Sequence, residues 1–225
     1  MTTADKEINS IRIKVAAMCE LVIGMCREGI KALNTNDQKL ADEVISQDAR
    51  VDDLEVELEE MCLRFLALYA PKAFELRYAV AVSRLISDLE RIADHSKSIA
   101  RQVHEHYCVP VLAALPDFAS LTDLAAGMLA EAVEAFFKSN TRKYAELVKR
   151  DRAVGEYQRA LNQKLVDIIA REASNINTAV ALINVIRRIE RIADHAKSIT
   201  GLIPYIVDGT IKRHKDKAPH ADHDH

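Results

Sequence analysis

The sequence predicts an all-α protein of two tandem three-helix bundles, six long helices in all. Two observations carry that expectation. An eleven-residue stretch occurs twice, Leu89–Ile99 and Ile189–Ile199, offset by 100 residues and identical at nine positions. A repeated supersecondary unit sets the architecture before any single residue is read. The composition agrees: 6 Gly, 5 Pro, no Trp and 49% apolar residues leave a chain dominated by helix formers.

The first helix is expected from about Asp5 to Leu33, with Ile8, Ile11, Val15, Met18, Val22 and Met25 at core spacing. Asn34 to Asp37 make a turn, and Asn36 or Asp37 can cap the second helix. That helix runs to about Tyr69 on a stripe of Leu40, Val44, Val51, Leu54, Leu58, Met61 and Phe65. Pro71 ends it and can enter the first turn of the third helix, which carries the first repeat copy and ends near Tyr107. The first bundle therefore spans residues 1–107. Pro110 and Pro116 mark 108–116 as a linker. The second bundle spans 117–207. Asp117 can cap its first helix, Ser139-Asn140-Thr141 turn the chain near Lys138, and Ser174-Asn175 restart it after Glu172. Its last helix carries the second copy and ends between Pro204 and Val207. Short turns make each half up-down-up. A spectrin-like or coiled-coil module has the same periodicity. Residues 208–225 are charged, then His-rich, and read as a disordered tail able to hold metal loosely.

The repeated stretch has the pattern of a helix with a buried face through Val82, Leu85, Leu89, Ile92, Ser96 and Ile99. At about 100° per residue, Glu90 and Asp94 lie beside that face, and Asp88, Arg84 and His95 lie on the opposite side. Two carboxylates at i, i+4 repel, and a cation between them removes that cost. One such pair reads as a solvated helix edge. Its duplication, as Glu90/Asp94 and Glu190/Asp194, favours a function.

The doubled Glu-Arg-Ile-Ala-Asp-His stretch resembles the PhoU family of phosphate-signalling regulators, whose signature is a Glu/Asp-x-x-x-Asp motif in the third helix of each of two repeats. The resemblance covers roughly residues 8 to 207. It implies a homodimeric negative regulator that links the ATPase subunit of an ABC phosphate transporter to the sensor histidine kinase of the phosphate regulon. It also implies that acids of the second helix face the motif. Asp48 and Asp52 form that row in the first half, with Asp53 and Glu55 nearby. Asp151 stands in the second half, followed by Gly155 in place of an acid and by Glu156. Oxygen ligands from two helices suit iron, manganese, magnesium or zinc. The candidate metal residues are therefore Glu90, Asp94, Glu190, Asp194, Asp48, Asp52 and Asp151.

His95 and His195 are expected in helix packing or hydrogen bonding, since neither follows a Glu at the i, i+3 spacing of diiron helices. Glu75-Leu76-Arg77 resembles the family's Asp-Leu-Arg element. Arg77 reads either as a fork for phosphate or carboxylate or as a salt bridge to the second helix.

No phosphate loop, nucleophile elbow or Cys/His dyad occurs. A net charge of −3 invites no nucleic acid. The absence of an 18-residue apolar run or an apolar N-terminal core points to the cytoplasm, with membrane contact through partners. Four cysteines without a C-x-x-C pair read as buried thiols. The competing functions are a metalloenzyme on a helical scaffold, a metal-free interaction module and an accessory protein of a different phosphate permease.

Overall fold

The computed structural model describes residues 3–211. The His-rich segment of the expected tail lies outside them. The long helices are α1 (Thr3–Thr35), α2 (Gln38–Tyr69) and α3 (Ala73–Glu105), then α5 (Asp117–Phe137), α6 (Lys143–Arg171) and α7 (Ile176–Asp208). Between the halves lies a short α4 (Val109–Ala113). No strand occurs among the described residues, so the all-α expectation holds.

The chain ends its helices by a mixture of predicted and other devices. Asp37 caps α2 as expected, its carboxylate accepting from the Leu40 amide at 3.0 Å. Pro71 falls two residues before α3 rather than within its first turn. Asp117 opens α5 but its carboxylate takes the Lys164 ammonium at 2.5 Å instead of capping. The expected linker is not extended: Val109–Ala113 is a helical turn with Pro110 in its first positions, where the missing amide costs nothing.

Within each half the helices are antiparallel, as cross-helix pairs show. Asp42 with His104 and Asp48 with Lys97 join α2 to α3. Glu131 with Arg150, and Asp117 with Lys164, join α5 to α6. Gly29 lets α1 approach the motif helix closely: a Cβ there would stand 3.1 Å from the Ser96 carbonyl oxygen.

The halves do not keep separate cores. Leu85, Leu89 and Ile92 of α3 and Val185, Ile189 and Ile192 of α7 are fully buried in one continuous apolar cluster that draws on α1, α2, α5 and α6. Each such side chain contributes about 1.5–3 kcal/mol by leaving water. The two motif helices thus run against each other at the centre, antiparallel. Arg77 meets the end of α7 at Ile206, and Asp88 meets His195 further along.

Candidate functional site

Burial of one helix face places the repeated acids at the α3 and α7 edges nearest α2 and α6. In the first half Glu90 is largely buried and Asp94 about half exposed. Burial, then the Asp94 charge, pushes the Glu90 carboxyl above its usual value. Arg91 lies 3.3 Å from Glu90 and 3.8 Å from Asp94, but its side chain is 61% exposed and screens weakly. From α2, Glu55 enters the same field. Burial and the charges of Glu59, Asp52 and Asp94 push its carboxyl up. Glu55, Glu90 and Asp94 therefore form a self-repelling row across the α2–α3 groove.

Asp48 is elsewhere engaged. It is 7% exposed and its carboxylate is bonded to the Lys97 ammonium. Of the expected Asp48/Asp52 row, Asp52 is exposed and adds charge near Glu55, while Asp48 neutralises a lysine. The two are a turn apart on α2, and helix rotation gives them different neighbours.

The second half repeats the lysine contact but not the acid row. Lys197 bonds Asp151 at 2.5 Å and Asp194 at 3.0 Å. Burial pulls the ammonium pKa down, and these two bonds reverse the shift and raise it overall. Burial and the Asp194 charge raise Glu190 as they do Glu90. Gln158 Nε2 donates to Glu190 Oε2 at 3.1 Å. Since Asp48 corresponds to Asp151, Gln158 corresponds to Glu55. An amide donor stands where the first half has a third carboxylate. Glu156 is exposed on α6.

The donors match a hard cation in kind, being carboxylate oxygens that repel one another. They fall short in convergence: among the described residues no three His, Cys, Asp or Glu side chains are grouped to hold a metal ion. Asp48 and Asp151 are held by lysines, and Lys197 also covers Asp194.

The histidines lie on the other side of their helices, as the angular reading predicts. The His95 and His195 rings meet at 5.9 Å between the halves. Arg77 takes neither expected role. Its guanidinium donates to the Ile206 carbonyl at 3.0 Å and the Val207 carbonyl at 3.2 Å, closing the end of α7. All four cysteines are free and buried, and burial pushes the Cys19 and Cys26 thiols up to about 12.

Lys97 and Lys197 both belong to the repeat, and their identity in the two copies is the signal in the sequence for the shared contact with Asp48 and Asp151. Gln158 becomes visible as the counterpart of Glu55 when the second helices of the halves are aligned at the Asp48/Asp151 offset.

The described residues make a duplicated helical scaffold with a Glu-x-x-x-Asp pair on each motif helix. The PhoU domain family matches residues 15–103 and 118–203, and the chain belongs to that family. A phosphate-specific transport system accessory protein PhoU homolog from Aquifex aeolicus is 31% identical over 93% of this chain and 95% of its own. A homolog of the same description from Pseudomonas putida is 31% identical over 92% of this chain and 82% of its own. The crystal structure of PhoU from Pseudomonas aeruginosa superposes with a TM-score of 0.83 at 27% identity, covering 92% of this chain and 99% of that one. These relatives carry the name of an accessory protein, in keeping with a regulatory rather than a catalytic role.

Proposed function

We propose that the chain is an accessory regulator of phosphate uptake. It acts in the cytoplasm as a homodimeric adaptor between the ATPase subunit of a phosphate ABC transporter and the sensor histidine kinase of the phosphate regulon, and holds the regulon off when phosphate is plentiful. The observation that supports this most is the family match in both halves, each carrying the Glu-x-x-x-Asp pair. No described helix is long and apolar enough to cross a membrane, which fits contact with the transporter through a partner subunit.

Cation binding belongs to the same reading. Glu55, Glu90 and Asp94 would have to draw together from their present spacing to hold a hard cation such as iron, manganese, magnesium or zinc, which would neutralise their mutual repulsion. Glu190 and Asp194 make a poorer site, with Gln158 and Lys197 already satisfying them.

The test is deletion of the gene in the host, with phosphate-starvation transcripts measured in high phosphate. Derepression is expected, and it should be reversed by the intact gene. Unchanged repression in the deletion strain would overturn the reading. Metal content of purified protein lacking 212–225 tests the cation part separately.

A further inference from the structure

Exposed apolar side chains gather at one end of the bundle. Among the described residues 13 large hydrophobic side chains are exposed. Six of them, Leu68, Phe74, Leu76, Phe137, Val207 and Ile211, lie at the end where α2, α5 and α7 finish and α3 begins. Contacts between helices fix that level. The Tyr78 ring stands 6.1 Å from Phe74 and 6.0 Å from Phe136, and Phe136 meets Phe137 edge-on at 5.7 Å. From the same turn of α3, Arg77 reaches the Ile206 and Val207 carbonyls of α7. The opposite end exposes half as many such side chains, Tyr107, Ile176 and Val180.

The charges left over at this end are mostly basic. Lys72 lies between α2 and α3, and Arg142 between α5 and α6; both are exposed and form no ion pair among the described residues. Glu7 and Glu134 are paired with Arg64 and Lys138, and Asp208 accepts from the Thr210 amide. Glu75 is the opposing charge. Past Ile211 the sequence continues Lys212-Arg213-His214-Lys215-Asp216-Lys217, which is strongly basic. The two connections are also strained. Ala70 and Ala73 flank Lys72 with φ of 41° and 49°, and Ser139 follows Lys138 with φ of 53°. Side chains other than glycine keep this conformation only where their surroundings impose it, and such strain gathers at functional places.

We infer that this end of the bundle rests on an anionic lipid surface, with Phe74 and Phe137 entering the headgroup layer and Lys72, Arg142 and the basic run after Ile211 over the acidic headgroups. The direction of the side chains selects the occupant. Phe74 and Leu76 point about 200° apart around α3, and Phe137 and Val207 belong to two other helices. No lateral face presents them together; what they share is a level along the bundle axis. A folded partner needs a shaped surface to receive side chains that diverge in this way. A fluid apolar layer takes them at any azimuth, and its acidic headgroups attract the cations around them. The chain as a whole carries a net charge of −3, so the basic end also sets which way it approaches. This goes beyond the partner-mediated membrane contact of the proposed function, and stands whether or not the chain regulates phosphate uptake.

Sedimentation of the full chain with lipid vesicles gives the first reading. Phosphatidylglycerol vesicles should bind it about tenfold or more tighter than phosphatidylcholine vesicles. That preference should vanish at about 1 M salt, where charges act over only about 3 Å. Lys72→Glu with Arg142→Glu should weaken binding about tenfold or more, and so should Phe74→Ser with Phe137→Ser. Helical circular dichroism checks the fold of each variant. The chain has no Trp, so one introduced tryptophan reports on one place and needs no loss of function. Emission of Phe137→Trp should shift to shorter wavelength on phosphatidylglycerol vesicles and be quenched by brominated lipid. Leu63→Trp, on the exposed flank of α2, should do neither. If the wild-type chain leaves phosphatidylglycerol vesicles bare at low salt, the inference falls and this end is left to a protein partner. If both tryptophans shift alike, or if both paired variants bind as the parent does, the chain meets lipid by another surface and the inference is equally wrong.

Discussion

His195 Nδ1 donates to Asp88 Oδ1 at 2.8 Å, tying α7 of the second half to α3 of the first. The relation is not reciprocated. The residue matching Asp88 at the 100-residue offset is Arg188, whose positive charge acts on His95. One histidine of the repeated pair is therefore bonded to a carboxylate, and the other lies in the field of a guanidinium.

Burial, then His195 and Arg188, lowers the His95 pKa from 6.5 to about 4; Asp94 opposes this and Arg191 adds to it. The folded chain then binds fewer protons than the unfolded chain between about pH 6.5 and pH 4. Stability is lost as pH falls through that window. His95→Asn should flatten this part of the curve of Tm against pH relative to the parent. Parallel curves for the two proteins would show that His95 does not drive the slope.

Lys97 holds Asp48 in a place that is 7% exposed. Lys97→Ala leaves a buried carboxylate unpaired, and should cost about 2 kcal/mol at pH 7. For a chain of this size that lowers Tm by about 4–8 °C. A Tm within one degree of the parent at neutral pH would mean that Asp48 finds water in the native state.

At Glu90 burial and the Asp94 charge outweigh the Arg91 ion pair. The folded pKa of Glu90 is raised, so the folded state holds the proton more tightly and stability falls as pH climbs through the folded value. In chelator-treated protein, Glu90→Gln should raise stability at pH 7, in part by removing an i, i+4 repulsion worth about 0.2–0.5 kcal/mol. The gain should vanish below the usual carboxylate pKa. The same change should weaken cation binding, so stability and binding move in opposite directions. Calorimetry with and without manganese reads both, and a loss of stability at pH 7 without metal would contradict the electrostatic account.

Arg77 closes the α7 terminus from the first half. Arg77→Ala removes two hydrogen bonds with a charged donor at a partly exposed place, and should cost about 1.5 kcal/mol. Hydrogen exchange should quicken first at the last turn of α7 around Tyr205 to Val207, before the motif region at Glu190 changes. Uniform acceleration along α7 would indicate a global loss instead.

Much of the architecture was legible because it is local. The core stripe of α3 follows from side chains three and four apart, which share a face in any α-helix. The same rotation separates Glu90 and Asp94 from His95, and the structure keeps that separation. The Asn34 to Asp37 turn and the Asp37 cap needed four residues of context.

The pairing of acids across helices was not legible in the same way. Asp48 and Asp52 look alike on a helical wheel, yet one meets Lys97 and the other stands near Glu55. That difference depends on the rotation and register of α2 against α3, set by how Val44, Val51 and Leu58 pack in the core.

By itself the sequence determined the doubled motif, the helical periods and the acidic edge of each motif helix. Each is a matter of order along the chain and needs no partner. The tertiary structure alone decided that the two motif helices meet at the centre, that Arg77 reaches the far end of α7 and that Lys97 and Lys197 engage Asp48 and Asp151. Those contacts join residues from 46 to 130 positions apart. They exist because burial of the apolar faces brings the helices together at one rotation, and the charged groups bond whatever that rotation sets before them.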